Sequence, residues 1–128
     1  MNNDRKENGV YLKHNGCNCC QAVILSYKDM LDLDEETLRK LGSSYGVGMG
    51  CMEATCGALI GATMVLGLLN DGSIGTMKKS KAILERFKEL SKDTICKNLK
   101  GIETGVVLTS CDDCVRNAIQ SLDEFLGE

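Results

Sequence analysis

The 128-residue sequence contains no proline and no tryptophan, one histidine, and only 4% aromatic residues. The missing proline excludes a collagen-like repeat. A single histidine, His14, leaves no Ser/His/Asp set to build. Basic excess is missing too: the net charge is −3 and the pI near 5.2, which argues against nucleic acid as a partner. No stretch is long and apolar enough to span a membrane. The most apolar one, Ala54–Leu69, is interrupted by Gly57, Gly61 and Gly67. It falls short of a span, which needs about 20 residues. The opening residues, Met1–Asn8, are polar and have no apolar core, so they do not read as a secretory signal.

Two things are plentiful. Apolar residues make up 43% of the chain, enough for one buried core in one domain. There are also eight cysteines. With no export signal, the expected location is cytoplasmic, where thiols stay reduced. Cysteines there point to metal or redox chemistry before a disulfide framework.

Hydrophobic periodicity predicts an all-α, single-domain helical bundle of five or six helices. Residues 1–14 are expected to be a flexible polar segment and 15–128 the cysteine-rich helical domain. Asn18 is placed to cap a helix from Cys19, with Cys20, Val23, Ile24, Tyr27, Met30 and Leu31 on one stripe. Asp34 caps a second helix through Leu38 and Leu41. A glycine-rich loop follows, 42–50. The third helix is expected from about Glu53 to Leu69 and is apolar all round, as at a bundle centre. Asn70-Asp71-Gly72 reads as a turn. The next helix is amphipathic, with Met77, Leu84, Phe87 and Leu90 inward. Asp93 or Thr94 caps a short helix holding Ile95, Cys96 and Leu99, which Gly101 ends. Ser110 with Asp113 makes a capping box for the last helix. The inner face of that helix is Cys111, Cys114, Val115, Ala118, Ile119, Leu122, Phe125 and Leu126. Only 105–109 has strand-like composition.

Cys19, Cys96 and Cys111 lie at or beside expected helix starts, and Cys56 in the first turns of the central helix. The positive end of a helix favours thiolate, the form that ligates metal or attacks a disulfide. All four also fall on apolar stripes, so they should converge inside the bundle. Cys17-x-x-Cys20 and Cys111-x-x-Cys114 match C-x-x-C. They lie much farther apart than the paired motifs of a zinc ribbon, and no histidine follows either. In Cys56-Gly57-Ala58-Leu59-Ile60-Gly61, Gly57 and Gly61 let another backbone or a bulky cofactor approach closely. The loop 42–50 lacks the Gly-Lys-Ser/Thr of a P-loop. His14 reads as a surface residue, with ligation beside Cys17 as the alternative. Residues 76–100 hold eight lysines or arginines against three acids, a net +5 that leaves −8 elsewhere. This is a solvated helix face or a docking face for an acidic redox partner.

These residues resemble the C_GCAxxG_C_C family of redox-active proteins. The resemblance is carried by Asn18-Cys19 with Gln21-Ala22-Val23, by Gly46-Val47-Gly48-Met49-Gly50, and by Cys56-Gly57-Ala58 through Gly61-Ala62. Leu66-Gly67-Leu68, Cys96 with Leu99, and Cys111 with Val115 and Ala118 complete it. It implies a metal centre on Cys19, Cys56, Cys96 and Cys111. An iron–sulfur cluster for electron transfer or redox sensing is expected. The alternatives are zinc in a structural interaction module, or a metal-free thiol–disulfide protein. A similar domain occurs beside an iron–sulfur cluster in split-Soret cytochromes. The C-x-x-C-H haem motif is missing here, so the haem does not carry over. Cys17, Cys20, Cys51 and Cys114 fall outside the family pattern; Cys20 could replace Cys19, and Cys114 could replace Cys111. The expected partner is an unknown redox protein, and a homodimer is possible. No substrate and no catalytic base are assigned.

Overall fold

The computed structural model describes residues 3–70 and 72–127 and is all-α. Seven α-helices follow in order: α1 (Asn3–His14), α2 (Cys19–Ser26), α3 (Glu35–Gly42), α4 (Gly57–Leu69), α5 (Thr76–Ser91), α6 (Cys96–Lys100) and α7 (Cys111–Leu126). Among the described residues no helix is long and apolar enough to cross a membrane.

Three of the expected caps act where the sequence places them; at α6 the N-cap is Ile95 with no side-chain bond, and Asp93 instead accepts from the Thr94 and Ile95 amides ahead of the helix. Asn18 accepts from the Gln21 amide at 2.8 Å, and Gln21 Oε1 accepts from the Asn18 amide at 2.9 Å. The two bonds make a closed capping box. Asp34 accepts from the Thr37 amide and Ser110 from the Asp113 amide. At Ser110 the box is half made, because the Asp113 carboxylate turns to Arg116 instead. Gly101 ends α6 with a φ of 71°, a left-handed conformation that glycine adopts freely.

Helices α2, α4 and α7 form the centre. Val23, Ile24, Leu59, Val65, Val115, Ile119 and Leu122 interlock there and are fully or almost fully buried. Each contributes about 1.5–3 kcal/mol of burial. Gly61 sets the α2–α4 distance: a Cβ on it would lie 2.8 Å from the Cys20 carbonyl oxygen. Helix α3 lies against α2, and α5 covers α7 and α4.

Three elements differ from the sequence reading. Asn3–His14 is a helix packed on α2 and α7, not a flexible segment. Its polar composition hides its anchors: Val10 and Leu12 pack on the core, and Glu7 pairs with Arg116 of α7. Gly9 lets α1 approach α7, since a Cβ there would come within 2.6 Å of Ile119 Cδ1. Arg5 reaches Asp29 and the Ser26 carbonyl oxygen. Second, α4 begins at Gly57 rather than near Glu53. The backbone of 54–56 is instead paired antiparallel with 94–96. The Cys56 amide donates to Thr94 O at 2.7 Å and the Cys96 amide to Ala54 O at 3.0 Å. Third, α5 turns Ile83 and Phe87 inward, while Met77 is 82% and Leu84 38% exposed. Leu90 is half-buried, and Phe125 of α7 is largely exposed. The chain turns between Asn70 and Gly72, whose amide donates to Gly67 O; Asp71 lies outside the described residues. Residues 105–109 form no strand.

Candidate functional site

Four helices begin at one place, each with a cysteine. Cys19, Cys96 and Cys111 are the first residues of α2, α6 and α7, and Cys56 is the N-cap of α4. All four line one cavity of about 290 Å³. Cys17 and Cys114 line it as well, so six sulfurs share the wall with Lys13, Asn18, Val47, Met52 and Lys100.

Local chemistry explains the convergence. The Asn18 capping box fixes the start of α2, and Asn18 Nδ2 donates to the Gly42 carbonyl oxygen at 3.1 Å, tying it to the end of α3. The 54–56/94–96 pairing ties the start of α4 to the start of α6, with Cys56 opposite Thr94 and Cys96 opposite Ala54. Gly57 makes room for Cys19: a Cβ there would sit 2.6 Å from its Sγ, and closer still to the Tyr45 carbonyl oxygen. Segment 47–52 forms another part of the wall. Val47, Met49 and Met52 have φ of 56°, 62° and 65°. They lie in the left-handed region that non-glycine residues avoid. Such strain persists where surrounding contacts fix it and clusters at functional sites. Here Gly48 is pressed against Cys96; a Cβ on it would lie 2.7 Å from the Cys96 Cβ.

The six thiols are not equivalent. Cys56 is 3% exposed and Cys114 1%. The Cys114 thiol faces Cys56, and this hydrogen bond holds the Cys56 thiol below its usual range. The Ala58 and Leu59 amides and Lys100 act in the same direction. The same contact, with burial, pushes Cys114 up. Burial raises Cys19, and pushes Cys96 up to about 11. The expected thiolate-favouring effect of a helix start is therefore outweighed at Cys19 and Cys96. Desolvation dominates there, and α6 has only five residues to build a dipole. Lys100 Nζ lies 3.7 Å from Cys114 Sγ.

The other sequence candidates stand apart. Cys20 is fully buried in the core, where desolvation raises its thiol to about 12. Cys51 is exposed, its Sγ 3.9 Å from Gly48 O. Gly57 and Gly61 do not line the cavity; they are close-packing positions between α4 and the α2 region. His14 points outward, with Nε2 2.9 Å from Asp112. Sequence reasoning did not place Cys17, Cys114 or Lys100 together at the site. Helical spacing carries part of that information: Cys114 follows Cys111, and Lys100 follows Cys96, by one turn.

The donor set suits a thiophilic metal centre. Zinc on four thiolates needs sulfurs about 3.8 Å apart, given Zn–S bonds of about 2.3 Å. Among the described residues no group of three or more His, Cys, Asp or Glu is arranged to hold a single metal ion. The cavity has room for about ten waters at their liquid volume.

One family profile matches residues 17–125, under the description "Putative redox-active protein (C_GCAxxG_C_C)". No curated protein and no solved structure matches the chain.

Proposed function

The chain belongs to the C_GCAxxG_C_C family, and from that premise we propose that it is a redox protein holding a metal centre on Cys19, Cys56, Cys96 and Cys111. The centre is an iron–sulfur cluster, and the protein transfers electrons or senses redox state. One observation carries this reading: cysteines at the starts of α2, α4, α6 and α7 line a single cavity. When bound, such a cluster supplies one-electron chemistry. The residues supply the rest. Cys56, already favoured as thiolate, is the readiest first ligand. The amides at the helix starts and Lys100 offset the negative charge of four thiolates. Val47 and Met52 give the wall apolar surface that limits water. The partner is another redox protein.

Iron and acid-labile sulfide are to be measured on anaerobically purified or reconstituted protein, with a visible spectrum. Similar amounts of iron and sulfide are expected, and loss of the spectrum when any of the four is changed to serine. Zinc without sulfide would replace the reading with a structural module.

The Cys56–Cys114 contact favours a second reading, a metal-free dithiol made of this pair. It differs from the C-x-x-C pairs in drawing one thiol from the start of α4 and the other from α7. Absence of metal, together with loss of two thiols on mild oxidation and a 56–114 cross-link by mass mapping, would select it.

A further inference from the structure

The cavity wall contains two cations and no carboxylate. They differ in their surroundings. Lys13 Nζ lies 3.7 Å from Asp112 Oδ1, so its charge is largely answered. Lys100 is half-buried at the end of α6, and its Nζ points at Cys114 Sγ, 3.7 Å away. No ion pair between Lys100 and a carboxylate occurs among the described residues, in contrast with the neighbouring Lys97, which has Glu53 and Glu103. A lysine loses hydration on burial and normally gains a carboxylate in return. Here it faces only sulfur.

We propose that Lys100 sets the reduction potential of the centre in this cavity: its unanswered positive charge favours the reduced state, which carries one more negative charge. The inference rests on the metal-centre reading above. Lys100 is a positioning residue for charge, not a ligand; a protonated ammonium has no lone pair to offer. Reduction brings one electron to the centre from an external donor, and no bond to Lys100 forms or breaks. A unit charge on the wall of the same cavity shifts a one-electron equilibrium there by about tenfold. About tenfold corresponds to roughly 59 mV for a one-electron couple.

The test compares iron- and sulfide-loaded wild type with Lys100→Gln, Lys100→Arg and Lys13→Gln, using spectroelectrochemical titration after each protein's iron and sulfide have been measured. At the wild-type midpoint, Lys100→Gln is expected to be about ten parts oxidised to one reduced. Lys100→Arg keeps the charge and should stay within about twofold of wild type. Lys13→Gln should move the ratio less than Lys100→Gln. Lys100→Met, which keeps the aliphatic stem, replaces Lys100→Gln if that variant folds or loads poorly, and must shift the same way. A fully loaded neutral variant with the wild-type midpoint overturns the inference and leaves the cluster standing. A Lys13→Gln shift of equal size overturns it too. A wild type that takes up no iron and sulfide removes both readings together.

Discussion

At the residue scale, the most demanding position is Gly57. Alanine is normally better than glycine inside a helix by about 1 kcal/mol. At Gly57 the added Cβ would meet the Tyr45 carbonyl oxygen and Cys19 Sγ. Gly57→Ala is therefore expected to destabilise the protein by about 1–3 kcal/mol, through overpacking against atoms with little freedom to move. Gly67, on the same helix with open space around it, should behave oppositely. There, Gly67→Ala gains about 0.4–1 kcal/mol. Urea midpoints of the two variants check both signs, and metal content should fall only in the first. The buried thiols make a separate prediction. Burial raises Cys20 from an ordinary 9.0 to about 12, and Cys96 to about 11. A thiol whose folded value is raised contributes stability below its unfolded value, and that contribution is lost as pH climbs towards the folded value. Metal-free, reduced protein should thus weaken between about pH 9 and about pH 11, by about 1 kcal/mol or somewhat more per pH unit for each such thiol. Cys20→Ala should flatten the slope of urea midpoint against pH in that window.

At the element scale, the informative case is α1. Arg5 donates to both Asp29 oxygens and lies 4.4 Å over the Tyr27 ring, while Tyr27 Oη donates to the buried Asp123. Arg5→Ala should cost about 1–3 kcal/mol. Hydrogen exchange should then speed up in the α1 amides before those of α4. This docking was not legible in the sequence, because α1 has no long apolar stripe: Val10 and Leu12 alone of its large apolar side chains pack on the core, and the rest is Gly9 and long polar side chains such as Arg5 and Glu7. Helices α2, α3, α6 and α7 were legible, because Asn18, Asp34, Gly101 and Ser110 are local signals that need no tertiary knowledge. The start of α4 was not: 54–56 runs uncharged into the helix, but its backbone pairs with 94–96, a partner distant in sequence. The inner face of α5 was half legible. Phe87 was placed correctly, but Met77 precedes the part of the helix that reaches the core. For the site, the four cysteines could be placed from their helix starts and the family pattern. Cys17, Cys114 and Lys100 join only once the helices are oriented.

At the scale of the whole molecule, the proposed centre would act as a ligand of the folded state alone. Ligand binding stabilises in proportion to the logarithm of its saturation, about 2.7 kcal/mol at a hundredfold excess over the dissociation constant. Loading should therefore raise the thermal midpoint, and a chelator should lower it again. Alkylation under native conditions should find the half-buried Cys19 and Cys111 protected only in loaded protein; Cys51, already exposed, should react in both forms. The cavity wall draws on Lys13 of α1 and Cys114 of α7, with each contributing stretch in between. On the ribosome, no partial chain lacking α7 can close it. Loading of the proposed centre must therefore wait for α7, so a filled site is itself a certificate that α1 through α7 have been made and folded.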